Sequence, residues 1–217
     1  MMIDILIDVG HHLNVKAVRR SLMRRSKEAA AESRRRIIDA AAVAFRKGGA
    51  GDVGIAEIMG AAGMTHGGFY RHFASKDEVF AAALDAAFDE LAARLLEPAT
   101  PSDRPPNLQE RIARYLAMVH RRDPGHGCPL AALGGELPRT SAEVQQGLPQ
   151  ELRRLARVFR DDGPDQEQAD THAMLRLAAM AGILMTSRLL DDAAAARLLE
   201  EGRRWVSTDL DGEAKVE

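Results

Sequence analysis

Residues 62–76 read AGMTHGGFYRHFASK, a stretch in which two adjacent glycines interrupt an otherwise helical pattern. Phe69 and Phe73 are four residues apart, so they share one face of a helix. Gly67 and Gly68 each cost that helix roughly 0.5–1 kcal/mol relative to alanine. A residue that contradicts the helical preference of the sequence around it often marks a functional site. Here the two missing side chains would allow a partner molecule to approach the backbone closely.

Helical patterns precede this stretch and give it a recognisable setting. The apolar residues that recur every four positions upstream are Ile37, Ala41 and Phe45. The pattern stops at Gly48-Gly49, a usual helix C-terminus. A short apolar pattern follows at 55–59, and Gly63 provides a tight turn after it. A longer helix, two short helices and a glycine-containing turn outline a helix-turn-helix, whose second short helix, 65–72, would lie in the major groove of DNA.

Downstream, Ser75 and Glu78 have the spacing of a capping box at the start of a long helix. The apolar stripe of that helix consists of Phe80, Leu84, Ala87, Phe88, Leu91 and Leu95. Four of the nine prolines fall within 97–106, which predicts a loop. Further helical patterns occupy 107–122, 129–137, 141–161, 166–188 and 191–206. Because no strand-like alternation is found, the sequence predicts an all-α protein of about nine helices.

The composition is that of a globular helical protein. Hydrophobic residues make up 46%, charged residues 29% and aromatic residues only 4%, while alanine and leucine abound. A single cysteine excludes an intramolecular disulfide and a zinc site of several cysteines. The apolar run at 3–9 is broken by Asp4 and Asp8 and is far shorter than the roughly 20 residues that span a bilayer. We therefore expect a cytoplasmic protein with no membrane partner.

Charge divides the chain into a basic N-terminal part and an acidic remainder. Residues 1–80 carry 13 Lys and Arg against 9 Asp and Glu, whereas residues 81–217 carry 17 against 23. The excess is concentrated in 16–47, with 11 basic and 3 acidic residues. This asymmetry is typical of a nucleic-acid-binding end joined to an acidic body, although a solvated basic tail would give the same counts.

Five blocks of sequence around the double glycine carry a family resemblance. They are Arg36-Ile37-Ile38-Asp39-Ala40-Ala41 with Phe45, Ile55-Ala56-Glu57-Ile58-Met59, Ala62-Gly63-Met64-Thr65, Gly68-Phe69-Tyr70-Arg71-His72-Phe73 and Ser75-Lys76. Residues 33–84 thus resemble the DNA-binding domain of the TetR (tetracycline-repressor-like) family of transcriptional regulators. The sequence departs from the family's usual residues at Gly54, where Ser or Thr caps a helix, and at His66, where Lys or Arg is common.

The resemblance implies which residues meet DNA. The implied phosphate contacts are Thr65, Tyr70, His72 and Lys76. Their hydroxyl, phenol, imidazole and ammonium groups can all donate hydrogen bonds to phosphate oxygens. The implied base-reading positions are His66, Gly67, Gly68 and Arg71. For His72 a place at the edge of the core, and for Tyr70 a packing role, remain open.

The resemblance also implies a larger helical domain for ligand binding and dimerisation. The predicted divisions are a basic N-terminal extension without fixed structure at 1–28, the helix-turn-helix domain at 29–75, the ligand-binding and dimerisation domain at 76–208 and an acidic tail at 209–217. The implied dimer interface is Leu175, Ala178, Ala179, Gly182, Ile183, Leu198 and Leu199. The implied ligand pocket is lined by Tyr115, Met118, Cys128, Leu133, Met174 and Met180. For both sets, ordinary core packing is the alternative.

The function implied is that of a ligand-responsive repressor, which binds a palindromic double-stranded DNA operator as a homodimer and is released by a small-molecule inducer. No cofactor, metal site or catalytic residue is expected. An alternative function rests on Cys128, which Pro129 places at a helix N-terminus, where the thiol pKa can fall. Such a thiol would suit a helical redox or electrophile-sensing protein. His120 and His126 lie near Cys128 in sequence, but three ligands across one loop indicate a metal only weakly.

Overall fold

In the computed structural model, residues 3–161 and 165–208 are described, and they form nine α-helices and three short 3-10 helices without a strand. The α-helices are α1 (Ile3–Gly48), α2 (Ile55–Ala61), α3 (Lys76–Leu96), α4 (Leu108–Tyr115), α5 (Met118–Arg122), α6 (Pro129–Leu133), α7 (Ala142–Arg157), α8 (Gln166–Ser187) and α9 (Asp192–Thr208). The 3-10 helices are η1 (His66–Arg71), η2 (Pro124–His126) and η3 (Leu137–Arg139). The all-α prediction is confirmed.

The first helix is longer than the sequence predicted. Helix α1 begins at Ile3, so it takes in most of 1–28, where we expected an extension without fixed structure. The sequence from His11 to Lys47 has no glycine or proline, and more than half of it is alanine, arginine, lysine or leucine, all strong helix formers. The predicted tail at 209–217 lies outside the described residues.

One hydrophobic core lies between α1, α2, η1 and the first half of α3. Its buried side chains include Ile37, Phe45, Ile58, Phe69 and Phe80. The rings of Phe45 and Phe80 pack edge to face with their centroids 4.6 Å apart, which fixes α3 against α1. The turn after α2 contains Gly63 at φ +69°, as its sequence predicted.

The second short helix of the predicted helix-turn-helix is a 3-10 helix. In η1, Gly68 N donates to the Thr65 carbonyl at 3.0 Å and His72 N donates to the Phe69 carbonyl at 2.8 Å. Thr65 occupies the N-cap position, but its side chain makes no capping hydrogen bond. Two adjacent glycines in six residues weaken an α-helix, and the short segment takes the tighter form instead.

Helix α3 is shared by both cores of the molecule. Ser75 Oγ accepts a hydrogen bond from Glu78 N at 3.0 Å, as predicted, whereas the Glu78 carboxylate accepts from Ala74 N. The residues of its predicted stripe are all buried: Phe80, Leu84, Ala87, Phe88, Leu91 and Leu95. The first three lie in the core just described and the last three in a second core. A displacement of α3 therefore changes the packing of both cores.

The second core is enclosed by α3, α4 and α6 to α9. Its buried aromatic side chains are Phe88, Tyr115 and Phe159, and the ring centroids of the last two lie 5.5 Å apart. The segment between α3 and α4 contains the predicted loop, and the segment predicted as one helix at 107–122 is divided into α4 and α5. Throughout the described ranges, no helix is both long and apolar enough to cross a bilayer.

Candidate nucleic-acid interface

Buried aromatic side chains in and just after η1 fix the orientation of the segment. Phe69 and Phe73 are buried, and their rings stack with centroids 5.7 Å apart. Tyr70 points the other way, with 65% of its surface exposed, and its ring meets Phe69 edge to face at 5.3 Å. A large aromatic side chain is thus held at the surface by a buried neighbour, where its hydroxyl can reach a partner.

The two adjacent glycines are not required by the fold. A Cβ atom built on Gly67 meets nothing within 4 Å, and one on Gly68 meets only ordinary contacts at 3.5 Å or more. Neither glycine has a positive φ. Any small side chain would therefore fit within the chain itself. The space in front of η1 is open to a partner molecule.

The polar side chains predicted to meet DNA surround this opening. Those exposed beside the glycines are Thr65, His66 and Arg71, while His72 and Lys76 are half-buried. Lys76 is anchored at one edge, where its Nζ donates to the Gly51 carbonyl at 3.2 Å. The predicted set is thus brought together on one surface of the first core. Tyr70 is not a packing residue, since its ring faces outward.

One residue that positions this segment was missed by the sequence analysis. Arg34 on α1 donates to the His72 carbonyl at 2.6 Å and to Glu78 at 3.2 Å. Its guanidinium lies 3.9 Å from the centre of the Phe73 ring. Arg34 therefore ties η1 and the start of α3 to α1. Its place in a run of three arginines gave no sign which one turns inward.

A second exposed surface runs along α8. The exposed or half-buried residues spaced three and four apart on it are Leu175, Ala178, Gly182 and Met185, and Leu189 continues this spacing two residues beyond the end of α8 at Ser187. Leu189 is 83% exposed, and a Cβ on Gly182 meets nothing within 4 Å. This spacing gives one continuous apolar stripe along the helix.

The predicted dimer residues divide between that surface and the chain's own core. Ala179, Ile183 and Leu198 are half-buried beside the stripe, but Leu199 is only 1% exposed and lies in the second core. Its assignment to the outer face was wrong, because it shares the inward face of α9 with residues three and four positions away. Met185 on α8 and Trp205 on α9 are further exposed large apolar side chains, which the sequence analysis did not single out.

The predicted ligand-pocket residues do not line one cavity. Tyr115, Cys128 and Met180 are fully buried in the second core, and Met118 and Met174 pack against it. Leu133 belongs to the first core. Each of these side chains packs in or against one of the two cores, as the core alternative predicted. A cavity of about 220 Å³ beside the second core has other walls: Leu91, Arg94, Leu95, Arg114, Val119, His120, Asp123 and His126.

Cys128 lies where its thiol is least reactive. It is 0% exposed, and burial raises the pKa of the thiol, so the helix N-terminus at Pro129 does not yield a thiolate. His120 Nε2 accepts a hydrogen bond from Cys128 N at 2.9 Å. The structure thus removes the basis for a redox or electrophile-sensing function. Among the described residues, no group of three or more His, Cys, Asp or Glu is placed to hold a metal ion.

His120 predicts how stability depends on pH. Burial lowers its pKa from 6.5 to about 4, and its Nδ1 donates to the Tyr115 carbonyl at 2.6 Å. Between these pH values His120 is protonated in the unfolded chain but not in the folded chain, so the free energy of unfolding falls as the pH falls through this window. We expect a loss of about 2 kcal/mol between pH 7 and pH 5, measured by urea unfolding.

His120→Gln should remove most of that slope, because a glutamine does not titrate. His172→Gln on α8 replaces a half-buried histidine outside the cavity and should keep the slope of the starting protein. Equal pH dependence in His120→Gln and the starting protein would contradict the assignment.

Comparisons with known proteins agree on one family. Residues 37–83 match the family model described as bacterial regulatory proteins, tetR family. The chain is 30% identical over 209 residues to the HTH-type transcriptional regulator TtgR of Pseudomonas putida, spanning 88% of this chain and 95% of that protein. It is 45% identical over 65 residues to the probable HTH-type transcriptional regulator ArpR of Pseudomonas putida, spanning 30% and 31%.

Solved structures have the same fold. A TetR transcriptional regulator from Chloroflexus aurantiacus J-10-FL superimposes with a TM-score of 0.60 at 25% identity, covering 83% of this chain and 97% of that one. The reduced form of NemR from E. coli gives a TM-score of 0.63 at 17% identity, covering 81% of this chain and 95% of that one. At that identity the similarity indicates the fold alone.

Proposed function

Because this chain belongs to the TetR family of DNA-binding bacterial regulators, we propose that it is a ligand-responsive repressor. It binds a palindromic operator as a homodimer and releases it when a small molecule binds the helical part of the chain. Within this proposal, 29–75 is the DNA-binding domain, and 76–208 is the part that binds the effector and the second copy.

The observation that carries this proposal is the open space in front of Gly67. The fold itself gives no reason for the missing side chains, since a Cβ there would meet nothing. A DNA duplex supplies the reason, because bases and phosphates can approach the bare backbone. In this proposal Tyr70, which is exposed beside the glycines, and Lys76, at the edge of the same surface, donate to phosphate oxygens, and their exposure and position support these roles.

The exposed stripe on α8 supports a two-fold dimer. A soluble monomer rarely presents a continuous apolar surface, and small residues such as Ala178 and Gly182 allow a second helix to approach closely. A two-fold axis makes the two η1 segments contact two half-sites that have the same sequence on opposite strands. The operator is then a palindrome.

Release by an effector follows from linkage between the two parts of the chain. Helix α3 begins beside the proposed DNA contacts and ends beside the second core. An effector that binds best to a conformation in which the spacing of the two η1 segments does not match the two half-sites weakens DNA binding. By linkage, DNA weakens effector binding by the same factor.

The first test is selection from a random double-stranded DNA library with the full-length protein. We expect enrichment of a palindrome, with affinity that falls steeply as salt rises because several phosphates are neutralised. If no sequence is enriched by a well-folded dimer, the proposed operator binding is refuted.

Gly67→Leu provides a sharper test on the selected operator. The new side chain has room in the protein but not against DNA, so we expect unchanged thermal stability and at least about tenfold weaker binding. Gly147→Leu on α7 is the matched control, since a Cβ there also meets nothing within 4 Å. It should bind the operator normally. Normal binding by Gly67→Leu would contradict the placement of DNA against η1.

A further inference from the structure

The cavity of about 220 Å³ beside the second core has an apolar floor and a cationic rim. Leu91 and Leu95 of α3 form the floor and are themselves buried. Arg94 of α3 and Arg114 of α4 stand at the rim. At the packing density of protein interiors, this volume holds a molecule of roughly a dozen non-hydrogen atoms. The floor can contact the apolar part of a ligand, and the rim can bind a negatively charged group of the same ligand.

The two arginines of the rim have no carboxylate partner within the described ranges. Arg94 donates through Nη2 to the His126 carbonyl, and Arg114 donates through Nη1 to the carbonyls of Glu97 and Arg94. These bonds fix the position of each guanidinium, but the carbonyl groups do not neutralise its charge. The remaining nitrogens are available for a planar carboxylate, the geometry that guanidinium groups match best.

The acid nearest to Arg114 in sequence, Glu110, is paired with another arginine. Glu110 of α4 is held by Arg104 through hydrogen bonds of 2.8 and 3.0 Å. The pKa of Glu110 is lowered first by that bond with Arg104, and the charge of Arg114 has the smallest effect. Glu110 is therefore already satisfied, and Arg114 is left to face the cavity.

The remaining polar groups of the cavity leave a net positive charge. Asp123 accepts from His126 Nδ1 at 2.9 Å, so its charge is engaged within its own segment. His120 is neutral near pH 7, since burial lowers its pKa to about 4, and both of its ring nitrogens are bonded within the protein. Two arginines against one aspartate favour a ligand with a single negative charge.

We propose that this cavity is the effector site and that its ligand is a small monocarboxylate with a compact apolar body, bound between Arg94 and Arg114. The role as effector rests on the proposed function above. The site itself rests on the cavity, the buried leucine floor and the unpaired arginine rim.

The segment that closes the cavity also touches the DNA-binding part. Asp123 and His126 face the cavity, while the residues between and after them pack on α1. A Cβ on Gly125 would lie 2.5 Å from Lys47 Cε and 3.2 Å from Val43 Cγ1. The Gly127 carbonyl accepts from Arg46 Nη1 at 3.0 Å. A ligand that moves this segment therefore moves it directly against α1.

Calorimetry with the full-length protein, in the absence of DNA, tests the site. The probes are benzoate, phenylacetate, 4-phenylbutyrate and octanoate, each with its primary amide as a neutral partner of the same shape. We expect at least one acid to bind and its amide to bind at least about tenfold more weakly, because the charge-assisted bonds to arginine are lost. Binding by none of the four acids, or equal binding of acid and amide, would overturn the proposal.

Substitutions in the rim locate the bound acid. Arg114→Gln and Arg94→Gln should each weaken it roughly ten- to hundredfold while leaving the thermal midpoint within a few degrees. Arg153→Gln, an exposed arginine of α7 away from this cavity, is the matched control and should bind normally. If both rim variants bind like the control, the acid sits elsewhere and the proposal fails.

A final measurement separates this proposal from the proposed function. The acid that binds should weaken binding of the selected operator about 5- to 150-fold, the usual range of coupling between two sites, and the rim variants should lose this response. An acid that binds in calorimetry but leaves operator affinity unchanged would refute the effector role. Because calorimetry needs no operator, a failure of operator binding leaves the test of the cavity intact.

Discussion

Gly182→Arg is expected to leave the chain monomeric and to weaken operator binding at least about a hundredfold. Gly182 lies in the middle of the exposed stripe of α8, where a Cβ meets nothing within its own chain. A long charged side chain there does not disturb the fold, but it would have to be buried unpaired between two copies. A monomer holds only one half-site, and losing the second contact removes the roughly 10²- to 10⁴-fold gain of bivalent binding.

Analytical ultracentrifugation and operator titration measure the two effects together. Gly147→Arg is the control, because it adds the same charge at an equally open glycine on α7. It should remain dimeric and bind DNA normally. A dimeric Gly182→Arg protein with full operator affinity would show that the second copy does not pack on this stripe.

The features that the sequence predicted well depend on local chemistry. Gly49 and Gly63 have positive φ because a helix end and a tight turn require it, and both were recognised from neighbouring residues. Ser75 caps α3 through the backbone nitrogen three residues on. Phe69 in η1 and Phe73 just after it could be placed in the core from their four-residue spacing. Each of these inferences needs only a few consecutive residues.

The features that the sequence predicted poorly depend on contacts between distant segments. Tyr115 and Met180 have the composition of a pocket lining, but neighbouring helices close over them and they become core. Arg94 and Arg114 were not singled out, because their importance lies in forming no ion pair with the acids around them. A sequence pattern shows charges but does not show which of them are paired in the fold.

Arg46 is one of the contacts that join the proposed DNA-binding and effector parts, and its loss should be the most destabilising single change considered. Its side chain is 1% exposed. Nε donates to the Ala42 carbonyl at 2.9 Å, Nη1 to the Gly127 carbonyl at 3.0 Å, and Nη2 to Glu90 at 2.9 Å. One guanidinium thus connects α1 with α3 and with the segment that closes the cavity.

Arg46→Ala is expected to reduce the free energy of unfolding by about 3 kcal/mol or more, since it leaves a void and removes the partner of Glu90 and of a buried carbonyl. Urea unfolding at a fixed protein concentration measures the loss. Arg24→Ala is the control, because its pair with Glu28 is exposed and should contribute less than about 1 kcal/mol.

The double variant Arg46→Ala, Glu90→Gln distinguishes a lost partner from a lost volume. If the unpaired Glu90 carboxylate causes much of the destabilisation, Glu90→Gln should restore part of the lost free energy of unfolding. The cost of the void is the same whether residue 90 is Glu or Gln. The same variants should respond less to the effector, because the Gly127 segment is no longer held to α1. A loss below about 1 kcal/mol for Arg46→Ala, with an unchanged effector response, would show that the Arg46 contact does not carry the communication between the two parts.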